Sequence, residues 1–264
     1  MARPIVALLT DFGTRDHYAG TMKGVVLGLA PDAALVDITH DVPPHDILTA
    51  SLELAASYKY FPPGTIFLVV VDPGVGSARR GLVAEVGDYR FVAPDNGVLT
   101  QVFRETPPKK VVELTERRYA RPTISRTFEG RDRFAPAAAW LAKGIELTAL
   151  GRPSGPLQPL GLPRPRITSD GITGQIVRVD RFGNLITNID RKTFERSTLK
   201  GRLTIRLGDR DISKVVSTYG DAAPGEICAL FGSSDHLEIA TNGGNASQSL
   251  SLDRGAPVHV VQHA

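Results

Sequence analysis

The apolar run from Ile66 to Val71 constrains the fold of this chain more than any other feature. A strand with one face in water alternates apolar and polar side chains, whereas every residue of this run is apolar. Such a strand has to be covered on both faces, as in a parallel sheet that lies between two layers of helices. The run stops at Asp72, a carboxylate that is followed by a Pro-Gly turn and then by Arg79.

Strand and helix patterns alternate through the first part of the chain. Strand patterns cover residues 4–10, 33–39, 65–72 and 109–115, a hairpin pattern covers 82–94, and helical patterns cover 17–31, 46–62, 98–105 and 133–144. The alternation predicts an α/β domain over residues 1–150, with an open sheet and helices on both of its faces.

The composition changes after Leu150. Residues 151–167 are rich in proline and glycine, which predicts a linker. Beyond them, short alternating segments are separated by turns, and no convincing helical pattern occurs. Residues 168–264 are therefore predicted to form a small all-β domain, either a barrel or a sandwich.

Composition also narrows the class of partner. The formal net charge is only +3 and the chain has no run of Lys and Arg, so we expect no nucleic-acid partner. No apolar stretch approaches the roughly 20 residues needed to cross a bilayer, and residues 1–12 predict a first strand rather than a signal peptide. The single Cys228 fits a reducing compartment, so a cytoplasmic protein is expected.

Carboxylates at strand ends are the first candidates for a site. Asp11 and Asp72 follow strand patterns, and ligands of open α/β sheets bind outside the carboxyl ends of the strands. The alternative is that each of them caps a turn or the next helix. Asp180 begins an Asp-x-x-Gly-Asn turn pattern, and Glu129 precedes a helix that it could cap, or it could line a pocket. The six histidines show no metal-ligand spacing, so no metal is expected.

Five segments together resemble the S-adenosylmethionine hydrolase family, also called SAM hydroxide adenosyltransferases, which is related to fluorinase and chlorinase. The segments are LLTDFGTRDHY (8–18), VVVDPGVGSARR (69–80), TFEGRDRFAPAAA (127–139), VDRFGNLITNI (179–189) and FGSSDHLEIATNGGNAS (231–247). The resemblance spans essentially the whole chain. It implies an α/β domain followed by a small β-barrel, and homotrimers whose sites lie between the first domain of one subunit and the second domain of the next.

The resemblance also implies an activity, the hydrolysis of S-adenosyl-L-methionine to adenosine and L-methionine by attack of water at C5′, with no cofactor. Asp11 would hold the ribose hydroxyls, Phe182 and Tyr219 would sandwich the adenine, and Asn184 would bind its edge. The methionine part would be held by a third group of residues, Asp180, Ser233, Ser234 and Glu238, while Thr241 to Gly243 would run past the adenine.

The implied catalytic set is Asp72, Arg79 and a third residue. The family has His at that third position, where this chain has Glu129. A carboxylate at position 72 favours water over a halide as the nucleophile, because the halogenating relatives have no acidic residue there. We expect Glu129 to face the same pocket as Asp72, to pair with Arg79 or Arg131, and to leave one of the two carboxylates with a raised pKa. A solvent-facing Glu129, another nucleophile and a non-hydrolytic binding protein remain as alternatives.

Overall fold

The computed structural model describes residues 3–197 and 203–262. The chain divides into two compact units, Met1–Leu160 and Gly161–Ala264. Part of the segment that the sequence assigns to a linker is regular structure, because residues Gly151–Pro153 pair with a strand of the first unit and Arg166–Ile167 pair with a strand of the second.

The first unit is built on a seven-stranded sheet. Its strands are β1 (Ile5–Thr10), β2 (Ala34–Thr39), β3 (Ile66–Val70), β4 (Gly81–Val86), β5 (Tyr89–Pro94), β6 (Lys110–Leu114) and β7 (Gly151–Pro153), and its helices are α1 (Tyr18–Leu29), α2 (Ile47–Ser57), α3 (Thr100–Glu105) and α4 (Ala135–Ala142). The strand order is β2-β1-β3-β5-β4-β6-β7. The pairs β2-β1, β1-β3 and β3-β5 are parallel, whereas β4 is antiparallel to both β5 and β6. The carboxyl ends of β1, β3, β5 and β6 therefore share one edge.

The apolar run of β3 faces two cores. Ile66, Leu68 and Val70 belong to the core that contains residues of α1 and α4. Phe67 and Val69 belong to the opposite core, which contains residues of α2 and α3. Successive side chains of a strand point to opposite faces, so helices on both sides require an apolar residue at every position. The predicted two-sided α/β sheet is confirmed.

The segment before α4 departs from the predicted helix over 133–144. The α-helix begins only at Ala135, and residues Gly130–Phe134 form a π-helical turn. Within this turn the carboxylate of Asp132 is fully buried. It accepts hydrogen bonds from Nε and Nη2 of Arg131, each 2.7 Å long, and from the amide of Ser125 at 2.8 Å. Asp132 thereby ties the preceding loop to the start of the helix.

The second unit is a nearly closed antiparallel sheet. Its strands are β8 (Arg166–Ile167), β9 (Gly171–Val179), β10 (Leu185–Asp190), β11 (Leu203–Leu207), β12 (Arg210–Ile212), β13 (Ile227–Phe231), β14 (His236–Thr241) and β15 (Pro257–Gln262). The order is β12-β11-β15-β9-β10-β14-β13, with β8 beside β9. A bridge between Val215 and Ala229 and contacts between β12 and β13 bring the ends of the sheet together, so the predicted barrel is confirmed.

The expectation of no helix in this unit is wrong. The described residues of this unit include two short α-helices, α5 (Arg191–Arg196) and α6 (Ala246–Leu250). Each begins at a capping side chain, since Asp190 accepts from the amide of Thr193 and Asn245 accepts from the amide of Gln248. Helices of five or six residues are too short for an apolar periodicity to predict them.

Replacing Asp132 with Ala should destabilise the first unit by about 1–3 kcal/mol, because three hydrogen bonds to a buried, charged acceptor are lost. Although burial opposes the effect, the hydrogen bonds from Arg131 and Ser125 hold the pKa of Asp132 below its usual value. A lowered pKa stabilises the folded state above the unfolded pKa, so the deficit of Asp132→Ala should shrink as the pH falls below about 4.

Urea unfolding at several pH values measures this deficit. Asp16→Ala is the matched control, since Asp16 also precedes a helix but is exposed and α1 has no side-chain cap. It should stay within about 0.5 kcal/mol of wild type. Equal unfolding free energies of Asp132→Ala and wild type at neutral pH would contradict the anchoring role.

Candidate active site

The carboxylate of Asp72 and the guanidinium of Arg79 form a buried ion pair just beyond the end of β3. Arg79 donates from Nε to Oδ1 of Asp72 over 2.9 Å and from Nη2 to Oδ2. The exposed fractions of the two side chains are 7% for Arg79 and 5% for Asp72. A planar guanidinium offers two parallel donors to a carboxylate, which fixes the orientation of both groups. Asp72 therefore lies at the end of the strand, where the following turn places the guanidinium of Arg79 against it.

A glycine determines how that turn packs. Gly76 has a φ of +77°, and a Cβ at this position would lie 2.3 Å from the carbonyl oxygen of Arg126. Only glycine accommodates both this backbone conformation and this close approach. Nη2 of Arg126 also donates to the carbonyl of Gly76 at 3.2 Å. The turn between Asp72 and Arg79 is therefore fitted against the segment that leads to Glu129.

Glu129 lies against the same guanidinium. Its Oε2 accepts hydrogen bonds from Nη2 of Arg79 at 2.8 Å and from Nη1 of Arg133 at 3.2 Å. The predicted ion pair with Arg79 is confirmed, whereas the alternative partner, Arg131, binds Asp132. The interpretation of Glu129 as a solvent-facing cap is wrong, because its carboxylate is buried and makes no capping hydrogen bond. Asp72, Arg79, Glu129 and Arg133 form one group, here called the ion-pair cluster.

The surroundings of Asp72 raise the pKa of its carboxyl group. Burial raises the pKa of Asp72, the hydrogen bonds and charge of Arg79 oppose this rise, and the charge of Glu129 adds to it. The raised pKa that was expected for one of the two carboxylates is thus found at Asp72. The ring of Phe134 lies 5.1 Å from the guanidinium carbon of Arg79 and forms an apolar wall. A carboxylate in such a setting is a stronger base than an exposed Asp.

Asp11 reaches the same edge of the sheet. Thr10 of β1 is in register with Val70 of β3, so Asp11 and Asp72 leave adjacent parallel strands. Oδ2 of Asp11 accepts a hydrogen bond from the amide of His45 at 2.8 Å, and His45 has a φ of +68°. This bond joins residues 34 apart in the chain, so it caps neither the turn after β1 nor helix α1, and it fixes the carboxylate relative to the loop before α2.

Beside Asp11 lies a hydrogen-bonded chain that the sequence did not reveal. Oγ1 of Thr10 lies 2.8 Å from Nδ1 of His40, and Nε2 of His40 lies 3.0 Å from Oδ1 of Asp37. The arrangement has the order of a nucleophile, a base and an orienting carboxylate. Thr10 is fully buried, however, so no substrate reaches its hydroxyl. These hydrogen bonds support the loop that carries Asp11. The amide of Gly13, in the same loop, also donates to the carbonyl of His40.

In the second unit, Asp180 organises a turn. Its Oδ1 accepts from the amides of Phe182 and Asn184, each at 2.9 Å, and its Oδ2 accepts from Nδ2 of Asn184 at 3.0 Å. Gly183 has a φ of +84°, and a Cβ there would lie 2.1 Å from the side chain of Asn245. The turn-forming interpretation of Asp180 is confirmed. The turn presents the ring of Phe182, which is 74% exposed.

Tyr219 and Glu238 are joined directly. The hydroxyl of Tyr219 donates to Oε1 of Glu238 over 2.6 Å. Burial raises the pKa of Glu238, the hydrogen bond from Tyr219 opposes this rise, the charge of Asp180 adds to it and that of Arg178 opposes it. Burial and the hydrogen bond to Glu238 also raise the pKa of Tyr219. The pair fixes the Tyr219 ring, which remains 42% exposed.

Two other predicted positions lie in turns of this unit. Ser233 is exposed in the turn between β13 and β14. Gly243 follows β14 with a φ of +71°, and the space where a Cβ would lie is open. Before it, Thr241 has a buried Oγ1 that finds no hydrogen-bond partner within residues 3–197 and 203–262. Binding roles for these residues stay predictions.

A pocket of about 470 Å³ adjoins the ion-pair cluster. It lies at the carboxyl end of β6, the edge that also carries Asp72. Glu129 and Arg133 line it together with Glu116, Arg117 and Tyr119, among others. Asp72 and Arg79 do not line it, so Glu129 faces this cavity without Asp72, and the expectation that both face one pocket is not met here.

Within the described part of the chain, no helix combines the length and the apolar character needed to cross a membrane. The same residues contain no group of three or more His, Cys, Asp or Glu side chains placed to hold a metal ion.

Comparison with known proteins gives two family matches, one for each half of the chain. Residues 6–151 match the SAM hydroxide adenosyltransferase N-terminal domain, and residues 174–259 match the SAM hydroxide adenosyltransferase C-terminal domain. The division between the two matches falls within the segment that joins the α/β sheet to the barrel.

Individual relatives match over nearly the whole length. The chain is 38% identical to the (R)-S-adenosyl-L-methionine hydrolase of Thermus thermophilus, covering 98% of this chain and 100% of that one. It is 27% identical to the fluorinase of an Actinoplanes species, covering 98% of each. The crystal structure of an uncharacterized conserved protein from Thermotoga maritima matches with a TM-score of 0.91 at 37% identity, covering 98% of this chain and 100% of that one.

Proposed function

The chain belongs to the SAM hydroxide adenosyltransferase family, and we propose that it hydrolyses S-adenosyl-L-methionine to adenosine and L-methionine. Water attacks C5′ of the adenosyl group, a C5′–O bond forms, and the C5′–S bond breaks. The electron pair of the broken bond goes to sulfur, so methionine leaves as a neutral thioether and needs no proton. One proton of the water is released.

The observation that carries this proposal is the buried carboxylate of Asp72. Free water is a poor nucleophile, and a carboxylate that accepts its proton in the transition state contributes a factor of about 10² to 10⁴. Burial raises the pKa of Asp72, which strengthens it as a base. Arg79 holds the carboxylate by two hydrogen bonds and so fixes its direction. A carboxylate here also repels a halide, which disfavours the alternative nucleophile of the fluorinase-like relatives.

The remaining site residues bind the substrate in this proposal. Asp11 accepts from the ribose hydroxyls, and the exposed rings of Phe182 and Tyr219 stack on the two faces of the adenine. The other roles are those of Asn184 at the adenine edge, of Asp180, Ser233 and Glu238 at the methionine amino and carboxylate groups, and of Gly243 beside the adenine. Asp180 can serve both its turn and the substrate, because a carboxylate has about four acceptor sites.

A product assay in water enriched with heavy oxygen tests the reaction. Incubation with S-adenosyl-L-methionine should yield methionine and adenosine with the heavy isotope in the 5′-hydroxyl, because the new C5′–O bond takes its oxygen from solvent. A different 5′-substituted adenosine would identify another nucleophile. Bound substrate without any product would show a binding protein, and either result would overturn the proposed hydrolysis.

Replacing Asp72 with Asn should lower kcat by at least about 10²-fold, the low end for loss of a general base. The affinity for adenosine should change little. The raised pKa of Asp72 means that its carboxylate form requires a higher pH than an ordinary Asp does. Wild-type kcat should therefore decrease as the pH is lowered, and the midpoint of this decrease should lie above about pH 4. Stopped assays across pH measure both effects.

Asp95→Asn is the matched control for this substitution. Asp95 also follows a strand of the same edge and pairs with an Arg, here Arg80, but its other oxygen accepts from the amide of Gln158. This variant should keep its kcat. If Asp72→Asn abolished adenosine binding and left the turnover of bound substrate intact, Asp72 would be a substrate anchor and not the base.

We further propose that the protein is a homotrimer whose active sites are shared between subunits. The catalytic residues Asp72, Arg79 and Glu129 all lie in the first unit, whereas the exposed aromatic rings, Phe182 and Tyr219, lie in the second. A site that combines the first unit of one subunit with the second unit of its neighbour would use both groups.

Mixing two impaired variants, assayed at substrate concentrations below KM, tests the shared site. Asp72→Asn lacks the base, and Tyr219→Ala lacks one face of the adenine clamp. In randomly mixed trimers, about a quarter of shared sites would combine two intact halves, so activity should return on mixing to about that fraction of wild type. Light scattering should give the mass of a trimer. A monomeric mass, or no recovery on subunit exchange, would refute shared sites.

A further inference from the structure

Arg133 extends the ion-pair cluster beyond the residues to which the family resemblance assigns roles. Its Nη1 donates to Oε2 of Glu129 at 3.2 Å, and its Nη2 donates to the carbonyl of Leu114 at 2.7 Å. Leu114 is the last residue of β6, so the guanidinium is fixed to the sheet. Its exposed fraction is 24%, and it lines the pocket beside Glu129.

The π-helical turn accounts for this placement. Glu129 and Arg133 are four residues apart across the turn, a spacing that brings the side chains together. Arg131, two residues earlier, points to Asp132 instead. The two guanidiniums of one short turn therefore serve different carboxylates, Arg131 a structural one and Arg133 the one that contacts Arg79.

Charges alternate along the cluster. Arg79 contacts both Asp72 and Glu129, and Oε2 of Glu129 is shared between Arg79 and Arg133. Without Arg133, two buried carboxylates would depend on one guanidinium, and Glu129 would compete with Asp72 for it. With Arg133 in place, Glu129 has a second cation of its own, while Nη2 of Arg79 donates to both carboxylates.

We propose that Arg133 is a positioning residue for the reaction, which holds Glu129 against Arg79 and so leaves Arg79 oriented on Asp72. The proposal rests on the proposed hydrolysis, with Asp72 as its base. Arg133 acts only through Glu129, so its effect belongs to the chemical step and not to substrate binding. Charge alone is insufficient for the role, because the guanidinium has to reach Glu129 and the carbonyl of Leu114 at once.

A double-mutant cycle tests this role. Arg133→Met should lower kcat by about tenfold with little change in KM, as when an outer partner of a catalytic group is removed. In a Glu129→Gln background the same substitution should change kcat by less than about twofold, because the group it positions is already gone. Arg133→Lys, which keeps the charge but not the two-armed donor, should give an intermediate kcat.

Arg117→Met is the control, because Arg117 lines the same pocket without pairing to Glu129. It should match wild type. A residue that only stabilises the fold would lower the folded fraction and leave kcat per folded site unchanged. Wild-type kcat in Arg133→Met, or a full effect of the substitution in the Glu129→Gln background, would overturn the proposal.

Unfolding free energies of wild type, Arg133→Met, Glu129→Gln and the double variant separate this proposal from the proposed function. If wild type releases no adenosine from S-adenosyl-L-methionine, the hydrolysis is wrong, yet the coupling between Glu129 and Arg133 is still measured by their stabilities. A non-zero coupling supports the positioning contact. Strictly additive stabilities would show that Arg133 does not hold Glu129, and would overturn the inference whatever the activity.

Discussion

The buried ion pair between Asp72 and Arg79 is the interaction on which the candidate site depends. Two charges with exposed fractions of 5% and 7% are tolerable only when each satisfies the other and their remaining hydrogen-bonding capacity is also used. Three structural requirements follow. A strand has to end just before the carboxylate, a turn has to bring the arginine back to it, and a further carboxylate has to accept from the remaining N–H of the guanidinium. β3, the turn at Gly76 and Glu129 meet them in that order.

Much of this arrangement was predictable because it is local. The apolar run of β3 required helices on both faces of the sheet. Asp72 and Arg79 are close in sequence and separated by a Pro-Gly turn, so their pairing could be expected. The π-helical turn, the buried Asp132 and the pairing of Arg133 with Leu114 were not predictable from pattern. Each depends on which donors and acceptors another strand or loop leaves available. The four-residue spacing of Glu129 and Arg133 was the one available signal, and it is equally typical of an exposed helical pair.

The second unit shows the same division. Asp180 forms a turn as its spacing predicted, because the acceptor and its amides lie within five residues of one another. The bond between Tyr219 and Glu238 joins residues 19 apart in the chain and arises only once the sheet is assembled. Short helices such as α5 cannot be predicted from apolar periodicity, because they begin at a capping side chain and contain too few residues to show a repeat.

The charge balance of the cluster explains why a glutamate at position 129 calls for a second cation. A sulfonium substrate loses its positive charge as the C5′–S bond breaks, so a net anionic site stabilises the bound substrate more than the transition state. Asp72 and Arg79 alone are neutral, and adding Glu129 alone would make the cluster anionic. Arg133 restores neutrality while leaving Asp72 a base. A histidine at position 129 could remain neutral, whereas the glutamate present here adds a negative charge that Arg133 balances.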